Sequence, residues 1–239
     1  MERLFAYNYA GPPFVLGSAQ HIAAILALLA LNLVLLRLRG ETESLRRCVR
    51  TALAIIVWVD EALWHLWNAY HDAWAANFML PLQLCSMLIW LSGVALLTRN
   101  RTLHEFIYLL GVPAAFQYLL TPDLGTYGFP HFRYFQTYIS HGLLLTTGLY
   151  LTFVEGMRPT WRSVLRVAIG INLVMLFMYP LNRLLGSNYL LINYKPASAS
   201  ILDLFPPWPA YILYMEAIGL LSVLLLMIPF ARPARSVPS

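Results

Sequence analysis

Seven runs of about 17 to 22 mostly apolar residues, each long enough to cross a bilayer as an α-helix, dictate what this chain can become. They cover residues 16–36, 50–67, 78–97, 103–120, 134–154, 164–184 and 209–229. No Gly/Ser-rich or charged linker separates them, so one domain spanning 1–239 is expected. The fold class that follows is all-α: a polytopic membrane bundle of seven transmembrane helices. The composition agrees, with 59% hydrophobic and 11% charged residues where a soluble domain carries roughly a quarter charged. The fourth run is the most disturbed, since Pro113 interrupts it and His104 and Glu105 stand at its start, where they read as a solvated helix end.

A net charge of +5 raises nucleic acid as a partner, but binding there needs basic residues gathered on one water-exposed face. Here they are scattered through short loops, so no nucleic acid is expected. Their distribution instead reports orientation. Arg37, Arg39, Arg46, Arg47, Arg50, Arg99, Arg101, Arg158, Arg162, Arg166, Arg232 and Arg235 fall on one side of the seven runs. Only Arg3, Arg133, Arg183 and Lys195 fall on the other. Lys and Arg are retained in the cytoplasm during insertion, which puts the N-terminus outside and the C-terminus in the cytoplasm. Cys48 and Cys85 are too few for a disulfide framework and sit at different depths; Cys48 reads as an ordinary juxtamembrane thiol. The N-terminus has no basic n-region or small-residue cleavage site, and no removable signal peptide is expected.

Ionisable groups inside a span are costly, face the bundle interior and are functional candidates by default. At about 1.5 Å per residue, Cys85 lies seven residues into the third run, roughly 10 Å deep. His141 lies seven residues into the fifth and Glu216 seven into the seventh. Glu61 stands six residues before the outer end of the second, with His65 one turn above it. A thiol, an imidazole and two carboxylates are thus expected in one outer-leaflet layer. Each also has a plainer reading: a cysteine packs as a small residue, a histidine bridges helices, and Glu61 with His65 forms an i, i+4 pair. Pro81, four residues before Cys85, cannot donate to the Asn77 carbonyl, so a helix bent beside the thiol is expected. Gln83 is placed to donate to a developing oxyanion. His21 and His131 fall near the outer surface, where a solvated role suffices.

At these residues the chain resembles the YwaF-type family of bacterial integral membrane proteins, itself similar to a vertebrate transmembrane acyltransferase of ether-phospholipid remodelling. The matching blocks are Glu61-Ala-Leu-Trp-His65, Leu80-Pro-Leu-Gln-Leu-Cys85-Ser, Gln117-Tyr-Leu-Leu-Thr-Pro-Asp123 and Tyr138-Ile-Ser-His141-Gly. Asn188-Tyr, Lys195-Pro, Leu202-Asp203 and Pro207-Trp-Pro209 continue the series. The resemblance implies Cys85 as nucleophile and His141 as its partner, in a bacterial cytoplasmic membrane. Many family members have histidine where this chain has Gln83, a departure that puts more of the chemistry on His141.

The first function expected is a lipid acyltransferase or acyl hydrolase working in the outer leaflet. Cys85 would form a thioester, His141 would carry the proton, and Glu61 or Glu216 would orient the imidazole. His65, Gln83, Gln117, Thr121, Asp123 and Tyr138 would line the mouth, and Lys195 would meet a phosphate there. The alternative is a non-enzymatic transporter or sensor using the same pocket. A rhodopsin-like pigment is excluded because no run contains a lysine. A metal enzyme built on His65, His141 and Glu61 ranks third, lacking a His-Glu-x-x-His pattern and leaving His65 one turn too shallow. No metal and no cofactor is expected; the partners are membrane lipids, and no soluble partner is identifiable.

Overall fold

The computed structural model describes residues 2–196 and 201–231; Arg232 and Arg235 of the cytoplasmic count lie outside the described residues. Every regular element among them is helical. A four-residue turn α1 (Glu2–Phe5) precedes α2 (Ala19–Leu36), α3 (Glu43–Tyr70), α4 (Leu84–Thr98), α5 (Arg101–Phe106), α6 (Val112–Leu120), α7 (Phe132–Phe153), α8 (Trp161–Leu185) and α9 (Ala210–Met227). The chain forms two compact units, residues 1–157 and 158–239.

Four helical stretches among the described residues are long and apolar enough to cross a membrane: Ala19–Gly40, Arg101–Leu120, Trp161–Leu185 and Ala210–Phe230. The helices α3, α4 and α7 fall short for physical reasons. α3 carries Arg46, Arg47, Arg50, Asp60 and Glu61, and α7 carries Arg133, Gln136 and a series of Ser and Thr, so neither has a uniformly apolar window. α4 is apolar but only 15 residues long. Its start corrects the expected helix from residue 78. Pro81 holds Leu80 out of the helical region, and Gln83 is extended at φ −72, ψ 150, so helix begins only at Leu84. The kink expected beside Cys85 is therefore a helix terminus.

Pro113 has a comparable effect on the fourth run. Its missing N–H cannot close a regular turn, and residues Ile107–Gly111 adopt a π turn in which the Val112 N–H reaches the Ile107 carbonyl. Helix then continues through Leu120 without a break.

In the first unit α3, α4 and α7 enclose the core. Ala54 and Val57 of α3, Leu88 and Leu96 of α4, Ile107 of the π turn and Leu144 of α7 are buried together. In lipid no water is expelled when helices meet, so small residues that let them approach closely supply much of the attraction. Gly93 of α4 lies where any Cβ would overlap the Trp58 indole of α3, whose Nε1–H donates to the Trp90 carbonyl at 3.0 Å. Gly142 of α7 likewise admits Leu28 of α2. One end of the unit is closed by ions: Arg50 donates to Glu155 at 2.5 Å and to Glu43 at 2.9 Å, and Arg99 lies 3.2 Å from the second Glu155 oxygen. This brings together the start of α3, the end of α4 and the residues following α7.

In the second unit the segment after α8 is organised by Asn182. Its amide nitrogen donates to the Tyr189 carbonyl at 2.9 Å, and its amide oxygen accepts from Ser187 Oγ and the Tyr189 N–H, each at 2.8 Å. Trp208 Nε1–H donates to the Ile192 carbonyl, and Lys195 Nζ to the Phe205 carbonyl.

Candidate functional site

A cavity of about 560 Å³ opens within the first unit, at the end of α3 opposite the ion pairs. Glu61, Trp64, His65 and Asn68 line it because residues three and four apart share a helix face. Phe78, Met79 and Leu80 come from the irregular segment ahead of α4, and Ser86 from the first turn of α4. Asp123, Tyr127 and Arg133 complete the wall together with Tyr7. The irregular segment 73–83 contributes to the wall through Phe78, Met79 and Leu80.

Two acids stand side by side on α3, Asp60 and Glu61, both buried. The Gln136 amide donates to Asp60 at 3.3 Å and its oxygen accepts from Arg133. The Arg133 guanidinium lies over the Trp64 ring, 3.7 Å from its centroid, and within electrostatic range of both acids. Trp74 Nε1–H donates to His65 Nδ1 at 3.1 Å, so in the neutral ring the proton sits on Nε2, which faces Glu61 at 3.9 Å.

Cys85 is the second residue of α4, half-buried, and packs against the apolar core cluster rather than appearing on the cavity wall, where its neighbour Ser86 does. The backbone N–H groups of Leu84, Cys85 and Ser86 have no partner one turn back, as at any helix start. His141 of α7 stacks face to face on Tyr118 of α6, with centroids 3.9 Å apart and planes 9° from parallel. Its Nδ1 lies 3.1 Å from both the Thr137 carbonyl and Ser140 Oγ. A carbonyl only accepts, so Nδ1 carries the proton and Nε2 presents a lone pair. Tyr118 is also within electrostatic range of Cys85, Arg133 and Asp123.

The remaining candidates divide. Asp123 lines the cavity at its exposed rim, and its carbonyl accepts from the Tyr118 hydroxyl at 3.4 Å. Gln83 is the N-cap residue of α4, with no side-chain bond to the helix N–H groups. Gln117 and Thr121 are exposed and bonded to each other, Thr121 Oγ1 donating to the Gln117 carbonyl. Tyr138 is buried in a separate aromatic cluster, 4.8 Å from the Tyr134 ring, with its hydroxyl unpartnered. Lys195 and Glu216 belong to the second unit.

Four histidine and glutamate readings are corrected. His104 and Glu105 are not a solvated helix end; both are buried, His104 Nε2 meeting Thr152 Oγ1 at 2.8 Å and Glu105 meeting Arg101 at 3.3 Å. His21 is buried between the Gly17 N–H and the Leu119 carbonyl. His131 is fully buried: Nδ1 caps α7 by accepting the Arg133 N–H at 3.1 Å, and Nε2 donates to the Ala6 carbonyl at 3.0 Å. Burial lowers its pKa below the ordinary value, against the Ala6 bond that raises it. Trp67 and His71 likewise donate to the Phe5 carbonyl, and Tyr127 to that of Tyr7, so the chain before α2 is strapped over this end. Three residues of the site were not singled out from sequence: Asp60, Arg133 and Tyr118. The signal for Asp60 was present, a second carboxylate inside a span.

An all-helical chain with membrane-length apolar helices is a multi-pass membrane protein, and its first unit encloses a polar cavity. The TMEM164 family model matches residues 16–227, nearly the whole chain, and the protein belongs to the TMEM164 family. No curated protein and no solved structure matches it.

Proposed function

We propose that this protein is a membrane acyltransferase or acyl hydrolase acting on lipids through Cys85 and His141. The observation that carries the reading is the state of His141: the Thr137 carbonyl holds the proton on Nδ1, leaving Nε2 as a base, and the Tyr118 ring stacked on it is within electrostatic range of Cys85. Nε2 takes the thiol proton and the sulfur bonds to the acyl carbonyl carbon. The first-turn N–H groups of α4 are suited to hold the oxyanion. The ester C–O bond then breaks, and the imidazolium gives its proton to the leaving alkoxide. An acceptor alcohol or water attacks the thioester and loses its proton to Nε2; the C–S bond breaks, and the imidazolium returns that proton to the departing thiolate. The orienting role expected of Glu61 or Glu216 passes to the Thr137 carbonyl; Glu61 with His65 lines the cavity from which the acceptor arrives.

The topology proposed with it is seven spans, N-terminus outside and C-terminus in the cytoplasm, in a bacterial inner membrane. The ion pairs that join the start of α3 to the end of α4 and to Glu155 beyond α7 support alternating helix directions. The test is trapping with a lipid-like acyl electrophile in a Cys48→Ser background. A hydroxylamine-labile adduct should form on the wild-type site, vanish in Cys85→Ala and fall steeply in His141→Asn. Labelling that survives either change rejects the mechanism.

A second reading, a binding or transport protein, is favoured by one observation: the thiol packs against the core rather than on the cavity wall. Proteoliposome uptake that Cys85→Ser leaves intact would select it.

A further inference from the structure

We propose that Arg133 anchors an oxyanion site in the polar cavity and that its ligand is the singly charged phosphodiester of a membrane lipid headgroup. This rests on the lipid reading above and names the group that recognises the substrate.

A guanidinium carries five N–H donors. Here one meets a neutral side-chain oxygen, that of Gln136, and no carboxylate comes within ion-pair distance among the described residues. Trp64 covers one face of the fork, and Arg133 lines the cavity. A half-buried cation with most of its donors unclaimed is costly, unless something else completes its shell. Gln136 and Asp60 explain how it is held: Asp60 fixes the Gln136 amide, which turns the Gln136 oxygen toward Arg133. They leave unexplained what the remaining donors serve. Ser86, in the helix turn whose N–H groups lack partners, lines the same cavity and adds a second oxyanion-seeking wall.

The other charges narrow the choice. Glu61 and Asp123 also line the cavity, and Asp60 and Glu61 are within electrostatic range of Arg133. A dianionic phosphate monoester would meet those carboxylates with twice the charge, so a phosphodiester is the better complement. The volume of about 560 Å³ is more than a free phosphate needs and falls within the ordinary range for an organic ligand. Arg suits the role better than Lys because its planar fork binds two phosphate oxygens at once.

The experiment uses the full-length Cys85→Ser protein, so that binding is read apart from chemistry. Retained lipid is measured by native mass spectrometry after equilibration with a phosphatidyl lipid and a glycosyl diacylglycerol of identical acyl chains. A preference of roughly 10- to 100-fold for the phosphate-bearing lipid is expected, the worth of charge-assisted hydrogen bonds. Arg133→Gln should abolish it, and Arg133→Lys should keep part. An absent preference, or one that survives in folded Arg133→Gln, overturns the proposal. Should Arg133→Gln fail to fold, Arg133→Lys decides: a preference equal to the wild type's overturns it. Displacement of the lipid by millimolar inorganic phosphate would overturn the headgroup assignment, and resistance to it supports the lipid. Loss of thioester trapping with the preference intact removes the catalytic reading alone.

Discussion

Replacing Glu155 by alanine should be among the most destabilising single changes in the first unit. The Glu155 side chain is 0% exposed and Arg50 5% exposed, and their N···O distance is 2.5 Å. Arg99 approaches the other carboxylate oxygen at 3.2 Å, so one buried acid neutralises two guanidinium groups from two helices. Without it, Arg50 and Arg99 share only Glu43, at 2.9 and 3.8 Å, whose side chain is 41% exposed. Breaking a buried pair from one side leaves an uncompensated buried charge and costs about 3–5 kcal/mol. Removing the exposed member, in Glu43→Gln, should shift the unfolding midpoint far less. Equilibrium unfolding in mixed micelles at fixed protein-to-detergent ratio, followed by far-UV circular dichroism, measures both. The double variant Arg50→Leu/Glu155→Leu should recover most of the loss, because the desolvation of both charges disappears with them. A Glu155→Ala change of under about 1 kcal/mol, the scale of an exposed pair, refutes the assignment of this cluster as a buried one. So does a double variant as unstable as the single.

Three further outcomes follow from the packing and the caps. Gly93→Ala should cost about 1–3 kcal/mol by driving the Trp58 indole off α4, and Trp58→Leu in the same chain should relieve part of that cost; additive effects would deny the contact. The Glu43 carboxyl is held down to about 2 by hydrogen bonds from Arg50 and then Arg46, so its contribution is complete above its ordinary value of 4.5 and lost as pH falls toward 2. Thermal unfolding across that window should lose less for Glu43→Gln than for wild type. His131, lowered by burial, stabilises the fold above its ordinary 6.5 and loses that contribution as pH falls below it, when Nδ1 can no longer accept the Arg133 N–H. Asparagine also caps a helix, so His131→Asn should keep the cap and flatten the melting profile between pH 7.5 and 5.5. A slope equal to wild type would place the titrating group elsewhere.

Helix was legible wherever the apolar run alone decided it, as in α2, α8 and α9, because nothing in those stretches competes with a continuous backbone ladder. It was least legible where one residue acts on a neighbour's backbone. Pro81 was read as bending a helix already under way, and it instead delays the helix to Leu84, since the restriction falls on the residue before proline. Pro113, the same residue type one helix later, is absorbed by a π turn because helix on both sides is packed into the core. Sequence distinguishes these two outcomes only through tertiary packing. The same holds for His104 and His131, which stand at helix starts in sequence and are buried by partners 48 and 125 residues away.

The site divides along the same line. Glu61, His65 and Asp123 were found because they are polar residues in or beside an apolar run, and all three line the cavity. Arg133 was counted with the outer loops, where its charge reported topology, although it stands one turn before Gln136 and so on one face with it. On the proposed topology Arg133 lies on the side that insertion leaves poor in basic residues. Its retention there requires a compensating use, and Asp60, Gln136 and Trp64 are the residues that make that use structural: one fixes the amide, one receives the guanidinium's hydrogen bond, and one covers its face. Three residues thus hold a cation that none of them neutralises by direct contact, on the wall of the cavity. An arginine serving structure alone would be expected to close its fork on Asp60 or Glu61.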